Sequence, residues 1–308
     1  MRCLSLSLLL VAAPVAARTV PEDWGPALLR SAGVDPAQIR CNRDNRWGDT
    51  LRQDAQAGAA ELMAAAGPAL RPLSTEEHAA LQKKLQGILF WRMVRAVIIE
   101  GNNNNIGVIA LRGRSYIDSS GRRRPLLVFR SGLTPSPQAP GSCFQSLLQA
   151  GGVRHVVNLF DGDIPAADLV AAEARAAAAA GASYTTASDD SAGYGPWREL
   201  LRNHYDDPER RLQASRSVAR LIREQILAPG GAPPRGNIHI HCGGGMHRSG
   251  MIAGILERCI NREPLEVVEA HYRYHVGWRG PDRPGGLEEG NLRFIREFDC
   301  TLLEPSQK

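Results

Sequence analysis

The residues best suited to chemistry lie in one short stretch, residues 238 to 256, IHIHCGGGMHRSGMIAGIL. Cys242 is a candidate nucleophile, because a thiolate attacks electrophiles far better than a protonated thiol. The three glycines that follow remove every side chain, so that their backbone N–H groups can converge on one anion. Arg248 can hold two oxygens of the same anion with its planar guanidinium. This spacing predicts a loop that binds a tetrahedral oxyanion above a thiol.

The flanking segments predict how this loop is positioned. The alternating run NIHIH, residues 237 to 241, predicts a strand that ends at His241, and MHRSGMIAGILERCI predicts a helix that begins just after the glycines. A helix N-terminus supplies positive potential that favours a thiolate. Ser249 can donate a hydrogen bond to that thiolate, and we expect His241 to orient the loop by hydrogen bonding to its backbone.

Upstream of the loop, strands alternate with helices. The segments VRHVVNLF, SYTTAS and NIHIH are strand-like, whereas CFQSLLQAGG, residues 166 to 180 and ERRLQASRSVARLIREQIL are helix-like. Such alternation predicts an α/β fold with a central, mainly parallel, twisted sheet and helices on both faces. Asp168 and Glu173 lie toward the start of the alanine-rich helix, which we therefore expect at the surface.

The chain before this region predicts a mostly helical N-terminal extension. Ser74 and Glu77 form a capping-box pattern at the start of STEEHAALQKKLQGILFWRMVRAVIIE. The runs IGVIALRG and RPLLVFR flank a turn near residues 119 to 122 and predict a hairpin. We expect a signal peptide over residues 1 to 17, the extension over 18 to 105 and the catalytic domain over 106 to 308.

The segment His241-Cys242-(five residues)-Arg248-Ser249 resembles the H-C-x5-R-[ST] signature of the cysteine-based protein tyrosine phosphatases. Phe129-Arg130-Ser131 is similar to a segment of the dual-specificity-like (atypical) branch, and the resemblance covers roughly residues 125 to 300. It implies hydrolysis of phosphomonoesters through a phosphocysteine, without a metal or other cofactor. Arg130 then has a supporting role, at a strand end or against the loop. The implied phosphate-binding residues are Gly243, Gly244, Gly245, Met246, His247 and Arg248.

The resemblance leaves the substrate open between a phosphorylated protein and an inositol phosphate. The ending G-x-H-R-[ST]-G, with His247 before Arg248, is similar to plant and fungal atypical enzymes whose substrates include inositol pyrophosphates. Those enzymes usually carry lysine where this chain has Met246, which weakens the case for a polyphosphate substrate. A binding module that holds phosphate without turnover is an alternative, and a sulfur-transfer enzyme of the rhodanese type fits His241 and Ser249 poorly.

A phosphatase of this kind also needs an aspartate that protonates the leaving oxygen. We predict Asp190, with Asp189 as second choice, because both follow the strand SYTTAS and precede a glycine-containing loop. Asp206 and Asp207 are rivals that lie nearer to Cys242 in the sequence, yet they precede a helix and suit an N-cap. Asp161 and Asp163, after another strand, are weaker candidates.

The N-terminal segment, the number of cysteines and the net charge indicate the compartment and the partners of the protein. A basic start, a short apolar stretch and small residues before Ala17 predict a signal peptide that is cleaved near that residue, and hence a secreted or periplasmic protein without stable membrane insertion. Five cysteines then remain, an odd number that suggests disulfide pairs and one free thiol. If Cys242 is free, the others allow three pairings. The net charge is +5, but no basic run with interleaved aromatic residues predicts a nucleic-acid partner.

Overall fold

The computed structural model describes residues 25–41, 47–67, 73–99, 104–134, 136–160, 167–187, 194, 206–276 and 287–304. The predicted signal peptide, residues 1 to 17, lies outside them. Within these ranges, five strands form one sheet with the spatial order β1-β2-β5-β3-β4. Their bounds are Gly107–Ile117 (β1), Arg123–Ser131 (β2), Val153–Asn158 (β3), Ser183–Thr186 (β4) and Asn237–His241 (β5).

The strand directions confirm a mainly parallel sheet. Strands β1 and β2 form the predicted antiparallel hairpin, while β2, β5, β3 and β4 pair in parallel with their sheet neighbours. In the registers of β5 with its two neighbours, His241 lies opposite both Ser131 and Asn158. The carboxyl ends of three strands therefore meet at one edge of the sheet, and Cys242 follows directly at that edge.

Helices join and cover these strands. In chain order they are α1 (Pro26–Ser31), α2 (Trp47–Ala66), α3 (Thr75–Ile99), α4 (Cys143–Gln149), α5 (Ala167–Ala179), α6 (Pro208–Leu221), α7 (His247–Ile255), α8 (Leu265–His275) and α9 (Leu287–Glu297). Single π-helical turns, Ile222–Leu227 and Leu256–Asn261, extend α6 and α7. The capping box is confirmed at α3, where the Glu77 N–H donates to Ser74 Oγ at 3.2 Å and the Ser74 N–H donates to Glu77 Oε2 at 3.0 Å.

Alternate residues of the strands build a separate core on each face of the sheet. In β2, Leu126 and Val128 face a core shared with α6, α7 and α9, whereas Leu127 and Phe129 face a core shared with α4 and α5. This alternation follows from the period of two in a strand. It confirms helical layers on both faces of the sheet.

The alanine-rich helix α5 lies at the surface, as the sequence suggests, with Asp168 and Arg175 exposed on its outer face. Ala176 and Ala177 pack into the second core, and the Glu173 side chain beside them is also buried. The small alanine side chains let α5 lie close against the sheet. Of the two acidic residues toward its start, Asp168 is exposed as expected, whereas Glu173 is buried beside His241 and Tyr184.

The N-terminal segment, residues 25–41, packs against the same face as α4. Leu29, Val34 and Ile39 are buried in the second core, and a disulfide joins Cys41 to Cys143 at the start of α4. A second disulfide joins Cys259 to Cys300. Of the three pairings that the sequence left open, this is the one formed. No helix within the described ranges is long and apolar enough to cross a membrane.

Candidate active site

The loop between β5 and α7 crosses closely over the end of β2. Gly244 forms an isolated bridge with Gly132, and the Leu133 N–H donates to Gly243 O at 3.0 Å. Gly245 has a φ of 64°, and a Cβ atom there would lie 2.5 Å from the backbone nitrogen of Gly132. Glycine is therefore required at position 245 both for its backbone conformation and for the close approach of the two chains.

Two buried side chains hold the carbonyl groups of this loop from outside. The Nδ2 of Asn105 donates to Gly244 O at 3.3 Å and to Gly245 O at 3.1 Å. The Nη2 of Arg130 donates to Gly245 O at 2.6 Å and to Met246 O at 3.4 Å. In a trans peptide the N–H points away from the C=O, so these contacts turn the following N–H groups toward the inside of the loop. The loop thus presents convergent donors for an anion.

Asn105 is itself fixed in place by the neighbouring helix. Its Nδ2 also donates to His275 O at 2.8 Å, and His275 Nδ1 lies 3.0 Å from Asn105 Oδ1. The backbone of Asn105 has a φ of 46°, in the left-handed region that asparagine tolerates better than most residues. Asn105 was not among the predicted site residues. The run of asparagines at 102 to 105 is the local feature of the sequence that points to it.

Cys242 is the one cysteine of the described residues that is outside a disulfide, and its side chain is buried. Its Sγ lies 3.5 Å from Ser249 Oγ in the first turn of α7. Burial alone would raise the pKa of this thiol. The positive charge of Arg248, hydrogen bonds from Ser249 and the smaller effect of the Arg130 charge outweigh burial, so the pKa of Cys242 lies below its ordinary value.

Arg248 extends from the first turn of α7 to the carboxyl end of β3. Its Nη1 donates to Leu159 O at 2.7 Å, and its guanidinium carbon lies 5.8 Å from the centre of the Phe160 ring. The side chain is half-buried, so it can still be approached from solvent. Thiol, donor loop and guanidinium are therefore brought to one edge of the sheet, as the sequence predicts.

His241 has different partners from those expected. It faces the α4 and α5 side of the sheet, where its Nε2 lies 3.1 Å from Glu173 Oε2 without hydrogen-bond geometry. Tyr184 Oη donates to the same carboxylate oxygen at 3.0 Å. Burial, together with that carboxylate, raises the pKa of Tyr184 well above its ordinary value. Because side chains alternate along β5, the His241 ring points to this layer instead of forming a hydrogen bond to the loop backbone.

A second histidine of β5 continues this buried row. The His239 ring stacks on that of His241 with 5.1 Å between centres, and its Nε2 lies 2.7 Å from Ser131 Oγ. Burial, and secondarily the proximity of His241, lower the pKa of His239 well below its ordinary value. His239 is therefore neutral and acts as a hydrogen-bonding core residue.

Of the six candidate general acids, Asp206 and Asp207 lie among the described residues. Asp189 and Asp190, like Asp161 and Asp163, lie outside the described residues. Asp207 is the N-cap of α6, and its Oδ1 accepts hydrogen bonds from the backbone N–H groups of residues 209 and 210 at 3.0 and 3.3 Å. The structure thus gives Asp207 the capping contacts that the sequence suggested.

Asp206, the other rival, is exposed and pairs with Arg293 at 2.8 Å.

Met246 is buried in the first core, whereas His247 is half-buried at the start of α7. No group of three or more His, Cys, Asp or Glu side chains that could hold a metal ion lies within the described part of the chain.

Comparison with known proteins adds one finding. No protein-family model and no curated protein sequence matches this chain. Among solved structures, the chain is similar to the core catalytic domain of the PP-IP phosphatase SIW14 from S. cerevisiae, crystallised in complex with citrate. The sequence identity is 17%, the match covers 63% of this chain and 89% of that chain, and the TM-score is 0.34.

Proposed function

We propose that this protein is a cysteine-dependent phosphomonoesterase. The observation that carries the proposal is the position of Cys242, a thiol of lowered pKa, at the start of a loop whose carbonyls are held outward by Asn105 and Arg130. Such a loop provides amide donors, and Arg248 provides a fixed positive charge. Together they suit the charge that spreads over the phosphoryl oxygens during transfer.

In the first step, the thiolate of Cys242 attacks phosphorus. An S–P bond forms as the P–O bond to the leaving group breaks. Arg248 and the loop N–H groups hold the three non-bridging oxygens, while an aspartic acid, Asp190 or Asp189, donates its proton to the leaving oxygen. This gives a phosphocysteine and the free alcohol or phenol.

In the second step, water attacks the phosphocysteine. The same aspartate takes a proton from the water, a new P–O bond forms and the S–P bond breaks, which releases inorganic phosphate. The Ser249 hydroxyl, 3.5 Å from the sulfur, is suited to stabilise the departing thiolate with a hydrogen bond. The enzyme returns to its starting state without any further co-reactant.

We infer a phosphorylated protein as the substrate, with phosphotyrosine or phosphoserine and phosphothreonine as the reacting group. Met246 supports this choice, because its apolar side chain is buried in the core at the position where polyphosphate-specific relatives usually place a lysine. An inositol polyphosphate is the second candidate. The half-buried His247 beside Arg248 favours it, since an imidazolium there would add charge next to the loop.

A comparison of substrates tests the proposal directly. Purified protein is assayed with an aryl phosphate, a phosphotyrosine peptide, a phosphoserine peptide and inositol hexakisphosphate, alongside Cys242→Ser. We expect turnover of the aryl phosphate and at least one phosphopeptide, and none by the variant. If the wild-type protein binds phosphate or tungstate but hydrolyses none of the four, the binding-module alternative is correct.

The acid is located by a second comparison on an alkyl phosphate, whose leaving group needs a proton. We expect Asp190→Asn or Asp189→Asn to lower kcat by about 10²-fold or more, because general acids typically contribute that much. Asp206→Asn and Asp207→Asn are matched controls. Their side chains are engaged with Arg293 and with the N-terminus of α6, so they should leave kcat within about twofold.

We also propose that the protein is exported. The two disulfides, Cys41–Cys143 and Cys259–Cys300, support this, since such bonds persist in oxidising compartments and are rare in the cytosol. N-terminal sequencing of the protein recovered from the periplasm or culture medium is the test. A mature N-terminus at Arg18 is expected, and an intact N-terminus on cytosolic protein would refute export.

A further inference from the structure

Two adjoining cavities lie at the opposite end of the sheet from Cys242. Their volumes are about 670 and 630 Å³, and both are bordered by the amino ends of the parallel strands. The residues that line both of them are Arg154, Pro233, Pro234, Arg235 and Gly236. We call these two cavities together the arginine groove. The length of β5 separates the groove from the loop by about 16 Å.

The groove has an excess of positive charge. Arg123, Arg154 and Arg235 line it, and none of them forms an ion pair with a carboxylate in the described part of the chain. Its acidic lining residue, Asp118, is already paired with Arg124 at 2.8 Å. Hydrogen bonds from Ser120, Arg124 and the backbone N–H of residue 122 hold the pKa of Asp118 far below its ordinary value. Asp118 therefore stays ionised but has its partners, and the three guanidinium groups have no carboxylate partner among the described residues.

Arg154 is fixed in an orientation suited to binding. Its Nη1 donates to Leu148 O at 3.0 Å and to Val153 O at 2.9 Å. Its aliphatic stem lies over Gly236, where a Cβ atom would come within 2.6 Å of Arg154 Cγ. The other guanidinium nitrogens make no hydrogen bond to any described residue. A guanidinium that is already ordered loses little further entropy when it binds a carboxylate.

The walls of the groove suit a polypeptide better than a single small ion. Pro233 and Pro234 precede the exposed Arg235 and restrict the backbone there, so the guanidinium projects from a stiff segment.

Tyr116 and Pro229 add apolar surface, and Ser183 and Gln225 add neutral hydrogen-bonding groups. His155 also lines the groove, but burial lowers its pKa, so it adds no charge near neutral pH.

We propose that the arginine groove binds an acidic segment of another polypeptide, rich in aspartate and glutamate. Carboxylates at successive positions would pair with Arg235, Arg154 and Arg123, and the apolar walls would pack against the intervening side chains. The groove and the loop lie at opposite ends of the sheet. Binding there is therefore independent of the proposed phosphatase reaction and of its failure.

Fluorescence anisotropy with a labelled glutamate-rich dodecapeptide tests the proposal, with the matched glutamine peptide as the uncharged control. We expect the glutamate peptide to bind, and we expect the Arg154→Gln/Arg235→Gln variant to bind it at least about tenfold more weakly. The matched variant, Arg175→Gln/Arg216→Gln, removes the same charge from exposed positions outside the groove and should change Kd by less than about twofold.

Several outcomes would overturn the proposal. One is that both double variants weaken binding of the glutamate peptide equally, and another is that the glutamate and glutamine peptides bind equally well. The third is tight binding of polyphosphate or single-stranded DNA in the groove without binding of the acidic peptide. If Arg154→Gln disturbs folding, Arg235→Gln alone decides the question, because Arg235 is exposed and its side chain pairs with no residue in the described part of the chain. Turnover of an aryl phosphate should be unchanged in every groove variant.

Discussion

The side chains of Asn105 and Arg130 donate to the same acceptor, the carbonyl oxygen of Gly245, from 3.1 and 2.6 Å. Asn105 comes from the segment before β1 and Arg130 from the end of β2, so two separate parts of the chain fix one peptide group. A loop held in this way does not need to reorganise when an anion binds. Preorganised donors are the main source of electrostatic stabilisation in sites of this type.

We predict that Asn105→Asp lowers kcat/KM for an aryl phosphate by at least about tenfold. The substitution keeps the size of the side chain and tolerates the φ of 46°, but it replaces the donor with a carboxylate that repels the loop carbonyls. Asn105→Gly is the companion variant, because glycine tolerates the backbone conformation while it removes the donor to the loop together with the contacts to His275. Unchanged kcat/KM and unchanged inhibition by phosphate in both variants would contradict the prediction.

The thiol pKa provides a second prediction that does not depend on turnover. Arg248 and Ser249 both favour the thiolate of Cys242, so Arg248→Gln and Ser249→Ala should raise the pKa of the thiol. We expect the larger rise in Arg248→Gln, because its charge is the larger of the two lowering causes. Titration of the thiolate absorbance, with Cys242→Ser subtracted, measures the pKa in each variant. A lower pKa in the variants, or an unchanged one, would show that Arg248 and Ser249 do not lower the pKa of Cys242.

The sequence predicts the order of strands and helices, the hairpin and the loop, because each depends on local patterns. Hydrophobic alternation marks β5, an apolar run beside the predicted turn marks β2, and the capping box at Ser74 marks the start of α3. The signature around Cys242 brings thiol, glycines and arginine together within seven residues. Their proximity in space therefore needs little information from the rest of the fold.

The supporting contacts could not be predicted in the same way. The Asn105 side chain donates to the carbonyl of Gly244, which lies 139 residues later in the sequence. The His241 ring lies beside Glu173 of α5 instead of forming a hydrogen bond to the loop backbone. Both contacts depend on how layers pack, which a local pattern does not encode. The pairing of the four disulfide cysteines could not be predicted for the same reason. It depends on where the fold places α4, which begins at Cys143, and the segment that contains Cys300.

Glu173 provides a third prediction, on stability. Its carboxylate is buried and accepts the hydrogen bond of the half-buried Tyr184 at 3.0 Å. Glu173→Ala leaves that hydroxyl without its acceptor and should lower the free energy of unfolding by about 1–3 kcal/mol. Denaturant unfolding of Glu173→Ala, Tyr184→Phe and the double variant measures the coupling between them. Strictly additive effects would mean that the two side chains do not interact energetically.

The two disulfides provide a last prediction, in which their contributions differ by loop length. Cys41–Cys143 closes a separation of 102 residues and Cys259–Cys300 one of 41. Since loop closure restricts the unfolded chain more for longer loops, replacing either pair by alanine should cost about 2–4 kcal/mol, with the first pair costing about 1 kcal/mol more. Unfolding in a Cys242→Ser background, which prevents exchange with the free thiol, gives both values. The reverse order would mean that the Cys259–Cys300 bond stabilises the folded state directly, beside the Arg258 guanidinium that donates to the Phe298 carbonyl at 2.6 Å.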